Sequence, residues 1–534
     1  MLKWSCIAAI VVLSLAVEFV PQKCTELNFL PMPKKVECEL SNKEVYTIED
    51  PCRILYHVKA DKQKHDYSHF EELINHQQLK TFHCHISNII VGQDISDFTL
   101  NGFKYKVEIN VQDPTLQSAF ETSQEAYTAS IKAGEAVLHA DHYVGFVHAL
   151  ETFLQAVECP RLKTKNCTMV KLPIKVEDEP VFSYRGVMVD TSRHFLPVHL
   201  LYETIDALMY NKMSVFHWHI TDEDAFPLIL DSHPEIAKYA AFSEEETYTT
   251  AQARDLVRYA KVRGVRIVPE LDTPGHAASW GLAPENKGVA CTFGTGYMGP
   301  LDVSLDKTYQ LVKEVFAEII DIFPDPIIHL GGDEVVLTCL QNKTDFVQKE
   351  NIKDKDIERH YRRKQHQIIK ELDPSKTPMY WMNARIDIEE GDIAHWWGGG
   401  LPPTDKKVVI SNYGPYYLDM GVGNYFGVNY GQYTTWLDMY NQNIGKNAEN
   451  YKNKANLLGA EVTLWSEINN RYTHHMKIWI RSSSTAERTW TTQNYDAKPN
   501  FFRRITAHER RMNRRGIPTA PATCQQCETH PEYC

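Results

Sequence analysis

Eight short apolar runs, each closing on polar or aromatic residues, constrain this chain more than any other feature. They are YRGVMVD (184–190), SVFHWHITD (214–222), VRIVPELD (265–272), PIIHLGGDE (326–334), PMYWMN (378–383), DIAHWW (392–397), KVVISN (407–412) and LLGAEVTLWSE (457–467). Helical patterns lie between several of them. Ala253, Leu256, Val257 and Ala260 share one face of Thr250 to Arg263. Leu311, Val312, Val315, Phe316, Ile319 and Ile320 do the same within Tyr309 to Phe323. Strands that are apolar almost throughout are buried on both faces. Eight of them, mostly separated by helices over about 330 residues, predict a (β/α)8 TIM barrel in an α/β chain.

Such barrels work at the C-terminal ends of their strands. The sequence puts Asp190 and Arg193, Asp222, Asp272 and His276, Asp333 and Glu334, Trp381, Trp396, and Trp465 and Glu467 at or just past those ends. One acid there is ordinarily a helix cap; acids or aromatics after nearly every strand are not explained by capping alone. HLGGDE (329–334) is the sharpest case. Its glycines permit a tight turn, and on an extended segment Asp333 and Glu334 would face opposite sides and differ in proton affinity.

Glycoside cleavage needs a general acid for the leaving oxygen and a group that stabilises an oxocarbenium-like carbon. Ordinary retaining enzymes supply a second carboxylate across the sugar, but strand seven here ends Ser411-Asn412. Either the reaction differs or the nucleophile comes from elsewhere. A 2-acetamido group on the substrate can attack C1 with its own carbonyl oxygen and form an oxazolinium ion. An adjacent carboxylate would orient that amide, and Asp333 beside Glu334 fits the division of labour.

The segments RGVMVDTSRHFLP (185–197), NKMSVFHWHITDEDAFP (211–227), GVRIVPELDTPGHAASWG (264–281), IIHLGGDEV (327–335), YLD (417–419), AEVTLWSE (460–467) and STAERTW (484–490) span nearly the whole barrel. On them the chain resembles the β-N-acetylhexosaminidases of glycoside hydrolase family twenty, the animal lysosomal enzymes in particular. The resemblance implies exo-acting, retaining release of terminal β-linked GlcNAc or GalNAc, from glycans or chito-oligosaccharides, with no cofactor and no metal. It implies Glu334 as general acid/base, Asp333 on the acetamido nitrogen and Tyr417 on the acetamido oxygen. Arg193, Asp419 and Glu467 would take sugar hydroxyls, and Trp381, Trp396 and Trp465 would wall the pocket. Asp222 and His276 would form a relay behind Glu334. Met420 stands where acidic-substrate members carry arginine, which favours neutral substrates. The resemblance also pairs Cys291 with Cys339 and implies a homodimer, while Arg510 stands where a cysteine is expected, leaving the bridging of Cys524, Cys527 and Cys534 open.

Four segments follow: a signal peptide (1–20), an α/β support domain (21–176), the barrel (177–513) and a cysteine-containing tail (514–534). The apolar run Trp4 to Val17 is shorter than the ~20 residues of a membrane span and matches a secretory leader, so stable membrane insertion is not expected. In the support domain Phe103 to Val111 alternates as a strand, Tyr143 to Val157 reads as a helix, and LPIKVEDEP reads as a linker. Cys52 and Cys84 flank a helix candidate and are expected to pair; Cys159 and Cys167 bracket a short loop. Asn166 and Asn342 begin glycosylation sequons. These features point to the secretory pathway, ending in the lysosome or outside the cell. The net charge of −12 argues against a nucleic-acid partner.

Two rivals remain. His217-Trp218-His219 puts two imidazoles on one strand face, as in a metal-dependent hydrolase, although filling the barrel explains them as well. A sugar-binding protein of weak or no activity could share the scaffold.

Overall fold

The computed structural model describes residues 24–523 except 25–26, 40–43, 60–64, 85–87, 93–101, 160–165, 293–297, 337, 339–342, 354–355, 384–387, 401, 422–423, 426–427, 430 and 492–497. Cys339, Asn342, the leader and the three tail cysteines fall outside these residues.

The eight runs form a closed barrel in chain order. Its strands are Tyr184–Asp190, Val215–Thr221, Arg266–Leu271, Ile327–His329, Thr377–Met382, Ile393–Trp396, Lys407–Ile410 and Leu457–Leu464. Every pairing between them is parallel. Alternation sorts each strand into outward residues, packed under the helices, and inward ones that stack in layers. Tyr184, Val215, Val268, Ile327, Met379, Ile393 and Val409 close the N-terminal end with an apolar plug. His217, Glu270, His329, His395 and Glu461, all 0% exposed, make a charged middle layer. Met188, Trp381, Tyr417, Met420 and Trp465 form the aromatic layer at the C-terminal mouth.

The preceding unit is a seven-stranded sheet. Its helix Tyr143–Ala156 is buried along its whole length, as expected of an element covered by the sheet on one side and the barrel on the other. The segment read as a linker is instead a strand, Ile174–Asp178, paired antiparallel on both edges. Its charges hid the alternation: Lys175 and Glu177 face solvent, while Ile174, Val176 and Asp178 are buried. Asp178 then joins the units, accepting hydrogen bonds from Tyr127 Oη (2.6 Å) and Trp490 Nε1 (2.9 Å) and pairing with Lys212 (3.2 Å). The helix Lys498–Arg514 returns to the support unit, and Arg515 beyond it meets the buried Glu151 carboxylate with contacts of 2.8 and 2.9 Å. The described start of the tail is docked rather than free: Ala522 donates to Glu509 and its carbonyl accepts from Trp436.

Cys52–Cys84 and Cys159–Cys167 are bonded, as the sequence suggested. A third bridge, Cys24–Cys38, was not anticipated; it ties the start of the described chain to the sheet's edge strand. Cys291 is disulfide-bonded. Asn166 is exposed. Among the described residues no helix is long and apolar enough to cross a membrane.

Candidate active site

The fourth barrel strand stops at His329, and the chain then turns through left-handed backbone at Gly331 (φ +65°), Gly332 (φ +92°) and Glu334 (φ +47°). The expectation of an extended Asp333-Glu334 pair is therefore corrected. A left-handed turn, not strand alternation, separates the two carboxylates. A Cβ on Gly331 would lie 1.7 Å from Asp272 Oδ1, so glycine is required both for conformation and for space. The Gly332 amide donates to that same oxygen at 2.8 Å, which fixes the turn to the end of the third strand.

Glu334 is 62% exposed at its side chain and faces His276, with Nε2 3.6 Å from Oε2. His276 Nδ1 lies 3.3 Å from Asp222 Oδ1, and Arg193 pairs with Asp222 Oδ2 at 2.7 Å. Burial opposes a charged His276, but the Asp222 charge, hydrogen bonds to Asp222 and Glu334, and the Asp333 charge outweigh it and hold the imidazolium well above its usual range. Burial likewise opposes the Asp222 anion, and Arg193, His276 and His219 overcome it, keeping that carboxyl well below its usual range. The hydrogen bond from His276 lowers Glu334, against a smaller effect of burial. The residues expected to form a relay are thus in line.

Asp333 lies on the other side of the turn. Burial, and next the Asp333 charge, push the Asp272 carboxyl well above its usual range, so Asp272 keeps its proton beside Asp333. Burial and Asp333 also push the Tyr417 hydroxyl up. Tyr417 reaches the site because residues 416–418 run beside the eighth strand: Leu418 N donates to Thr463 O (2.8 Å), and Thr463 N donates to Tyr416 O (2.9 Å). The seventh strand itself ends without a carboxylate, at buried Ser411 and at Asn412.

Arg193 is held by Asp190 (3.3 Å), stacks 5.0 Å from the Trp465 ring centroid and lies 3.8 Å from Glu467. Among the described residues, buried Asp419 Oδ1 and Oδ2, Glu467 Oε2 and Asp333 Oδ1 accept no hydrogen bond. Burial, then Glu467, pushes Asp419 up to about 7; burial also raises Glu467, against the Arg193 charge. Carboxylate oxygens desolvated without donors are suited to take hydroxyls from a polyol.

Trp381 and Trp465 stand in the aromatic layer with Tyr417. Trp396 does not. It points outward into the main core, and its neighbour Trp397 packs against the mouth layer. Alternation decides this, since inward His395 stacks on Trp381 at 3.9 Å and Trp397 lies two residues further on. The charged middle layer went largely unread in the sequence. Its sequence signal is a polar residue at inward positions of several apolar strands; the metal reading takes in His217 and His395 but not Glu270, His329 or Glu461. His217, Glu270 and His329, and His217, His395 and Glu461, bring possible metal-ligating atoms within 4.8 Å of one another. These groups are already paired: His217 lies 2.7 Å from Glu461 and 2.9 Å from Glu270, and His329 lies 3.0 Å from Glu270.

A closed parallel barrel with an adjacent carboxylate pair at its mouth, an arginine clamp and an aromatic floor defines a glycoside hydrolase. Residues 182–493 match the sequence profile of the glycosyl hydrolase family 20 catalytic domain. The human β-hexosaminidase subunit beta is 32% identical over 435 residues, covering 77% of this chain and 76% of that one. β-Hexosaminidase 1 of Arabidopsis thaliana is 31% identical over 433 residues, 74% of each chain. The fold is shared with the Vibrio harveyi family 20 exo-β-N-acetylglucosaminidase solved with N-acetylglucosamine, at TM-score 0.74 and 20% identity over 93% of this chain and 79% of that one. The Flavobacterium johnsoniae chitobiase superposes with TM-score 0.73 at 24% identity, over 92% of this chain and 73% of that one. This chain belongs to glycosyl hydrolase family 20 and is a β-N-acetylhexosaminidase.

Proposed function

We propose that this chain removes terminal non-reducing β-linked GlcNAc or GalNAc with the roles distributed as follows. Glu334 protonates the leaving oxygen, then takes a proton from the water that opens the oxazolinium ion. His276 and Asp222 hold that carboxyl on target. Asp333 accepts from the acetamido N–H and balances the positive charge that develops as the amide oxygen attacks C1. Tyr417 donates to that oxygen. Arg193, Asp419 and Glu467 bind sugar hydroxyls, and Trp381, Trp465 and Trp397, the last in place of Trp396, wall the acetamido pocket.

The observation that carries the reading is the left-handed turn at Gly331–Glu334, which aims the two adjacent carboxyls at different neighbours. Glu334 faces the cationic imidazole of His276, whereas Asp333 lies among that imidazole, a protonated acid and a phenol. One is equipped to exchange protons and the other to hold the acetamido group. Met420, buried against the same aromatic cluster, and Asp224, 4.0 Å from Arg193, favour neutral over sulfated or sialylated substrates. The leader, the exposed Asn166 sequon and the disulfides support passage through the secretory pathway, to the lysosome or outside. Homodimerisation is expected from the family resemblance, and sedimentation showing only monomer would remove it. Neither nucleic acid nor a bilayer is an expected partner.

Paired hydrolysis of an aryl N-acetyl-β-glucosaminide and the matching aryl β-glucoside, without added metal, tests the reading. Activity on the first alone supports acetamido participation. Equal activity on both would require a nucleophile from the protein. Inactivity on both, from folded and glycosylated protein, would favour a sugar-binding role. Activity abolished by a chelator would revive the metal reading of His217 and His219.

A further inference from the structure

Behind the relay lies a second buried carboxylate that the reaction as written does not use. His219 Nε2 lies 2.9 Å from Asp222 Oδ2, on the side of that carboxylate away from His276. Its other nitrogen, Nδ1, lies 2.6 Å from Glu270 Oε2. The remaining oxygen of Glu270 accepts from the Trp381 indole N–H at 2.6 Å. His219, Glu270 and Asp222 are all 0% exposed.

We propose that His219 and Glu270 are positioning residues that extend the relay to Glu270–His219–Asp222–His276–Glu334, and that Glu270 sets the Trp381 wall through the same carboxylate. The inference rests on Glu334 being the acid/base. The barrel does not need charge at this depth to be filled, because the layer beneath is apolar apart from the Tyr184 hydroxyl, which donates to Glu461. A buried ion pair is a weak device for stability, since desolvation offsets most of its Coulombic gain. Here the charged groups run in a line that ends at the reacting carboxyl and alternate in sign along it. Holding His219 as a cation keeps Asp222 an anion, and that anion shares its charge between His219, Arg193 and His276. Removing the His219 cation leaves more negative potential at His276 and Glu334, and both then hold their protons more tightly.

The groups facing His219 are Asp190 on the first strand, Asp222 past the second, and Glu270 and Asp272 at the third, with the Trp465 ring 5.0 Å away. Glu270 also meets His217 (2.9 Å) and His329 (3.0 Å). Glu334 is faced by His276, Arg193 and Asp222. Glu270 pairs in register with His219 on one side and with His329 on the other, so the third strand places it in both roles at once.

The test compares full-length wild type with His219→Gln and Glu270→Gln, using aryl N-acetyl-β-glucosaminides of graded leaving-group ability across a pH series. The expected result for His219→Gln is an alkaline limb of kcat/KM moved upward by roughly one pH unit. Its kcat is expected to fall about tenfold or more on poor leaving groups and only about threefold or less on good ones. Glu270→Gln keeps the size of the side chain and an acceptor for Trp381, and carries the test if His219→Gln does not fold. It too is expected to lose most on poor leaving groups. An unmoved pH profile with equal losses on every leaving group, in folded variants, would overturn the proposal as a merely structural effect. Glu334→Gln run alongside separates the two levels. If it hydrolyses poor leaving groups like wild type, the assignment of the site has failed; if it is crippled while His219→Gln behaves as wild type, only the extension has.

Discussion

Replacing Gly331 by alanine places a methyl group where the catalytic turn has no room. The added Cβ would stand 1.7 Å from Asp272 Oδ1, 2.1 Å from its Cγ and 2.7 Å from its Cα. Rotating Asp272 relieves the first two contacts but not the third, so backbone must move by several tenths of an ångström. The positive φ adds about 1–2 kcal/mol of strain, and overpacking adds about 1–3 kcal/mol. Together these predict a loss of roughly 2–5 kcal/mol in stability. The moving segment carries Asp333 and Glu334, and a displacement near 1 Å at reacting groups costs on the order of 100-fold in rate. Gly332→Ala is the internal control. Its φ is +92°, but the nearest atoms, on Arg362 and Tyr380, lie 3.6–3.8 Å from the added Cβ. It should show the strain without the clash. Denaturant titration and kcat on an aryl N-acetyl-β-glucosaminide, measured on both variants, separate the two contributions. A Gly331→Ala enzyme within a few-fold of wild-type kcat, or no worse than Gly332→Ala, would refute the argument that this glycine sets the catalytic geometry.

Glu334→Gln should cost most on poor leaving groups, which depend on protonation; equal loss on good and poor ones would argue against an acid role. Asp333→Asn should lower kcat far more than it raises KM, because its charge counts most as the oxazolinium forms, and a pure KM effect would contradict that. Asp419, pushed up to about 7 by burial and then by Glu467, keeps its proton in the folded chain where the unfolded chain has lost it, so its contribution to stability falls as pH rises from about 4 to 7. Asp419→Asn should flatten that fall by up to about 4 kcal/mol, read from urea melts at both ends of the window, while weakening sugar binding. Arg515→Met leaves the buried Glu151 carboxylate without its cation and should destabilise the chain by about 3–5 kcal/mol; a melt unchanged from wild type would show that pair to be dispensable.

The sequence alone determined the barrel, because strands buried on both faces leave apolar runs that cannot be mistaken for half-exposed ones. It also located the chemistry, since each run ended on the polar residues that the closed barrel gathers at one mouth. Asp333, Glu334, His276, Asp222, Arg193 and Glu467 all sit there, Asp419 came only through the family resemblance, and the missing acid at strand seven was visible as a gap in the text of the chain. Direction of side chains was another matter. Whether Trp396 or Trp397 faces the pocket turns on a period of two counted from a strand start that only hydrogen bonding fixes. The extended Asp333-Glu334 pair proved to be a left-handed turn, because the third strand crowds Gly331 from outside its own segment. Nothing in the sequence singles out Glu270 and Glu461, which gain a role only where the barrel brings His217, His219, His329 and His395 around them. The charged segment Ile174–Asp178 read as a linker until neighbouring strands showed which of its faces was dry. Local pattern specifies which residues are buried and in what element; what each one meets is set by partners up to hundreds of residues away, and those distances exist only in the folded chain.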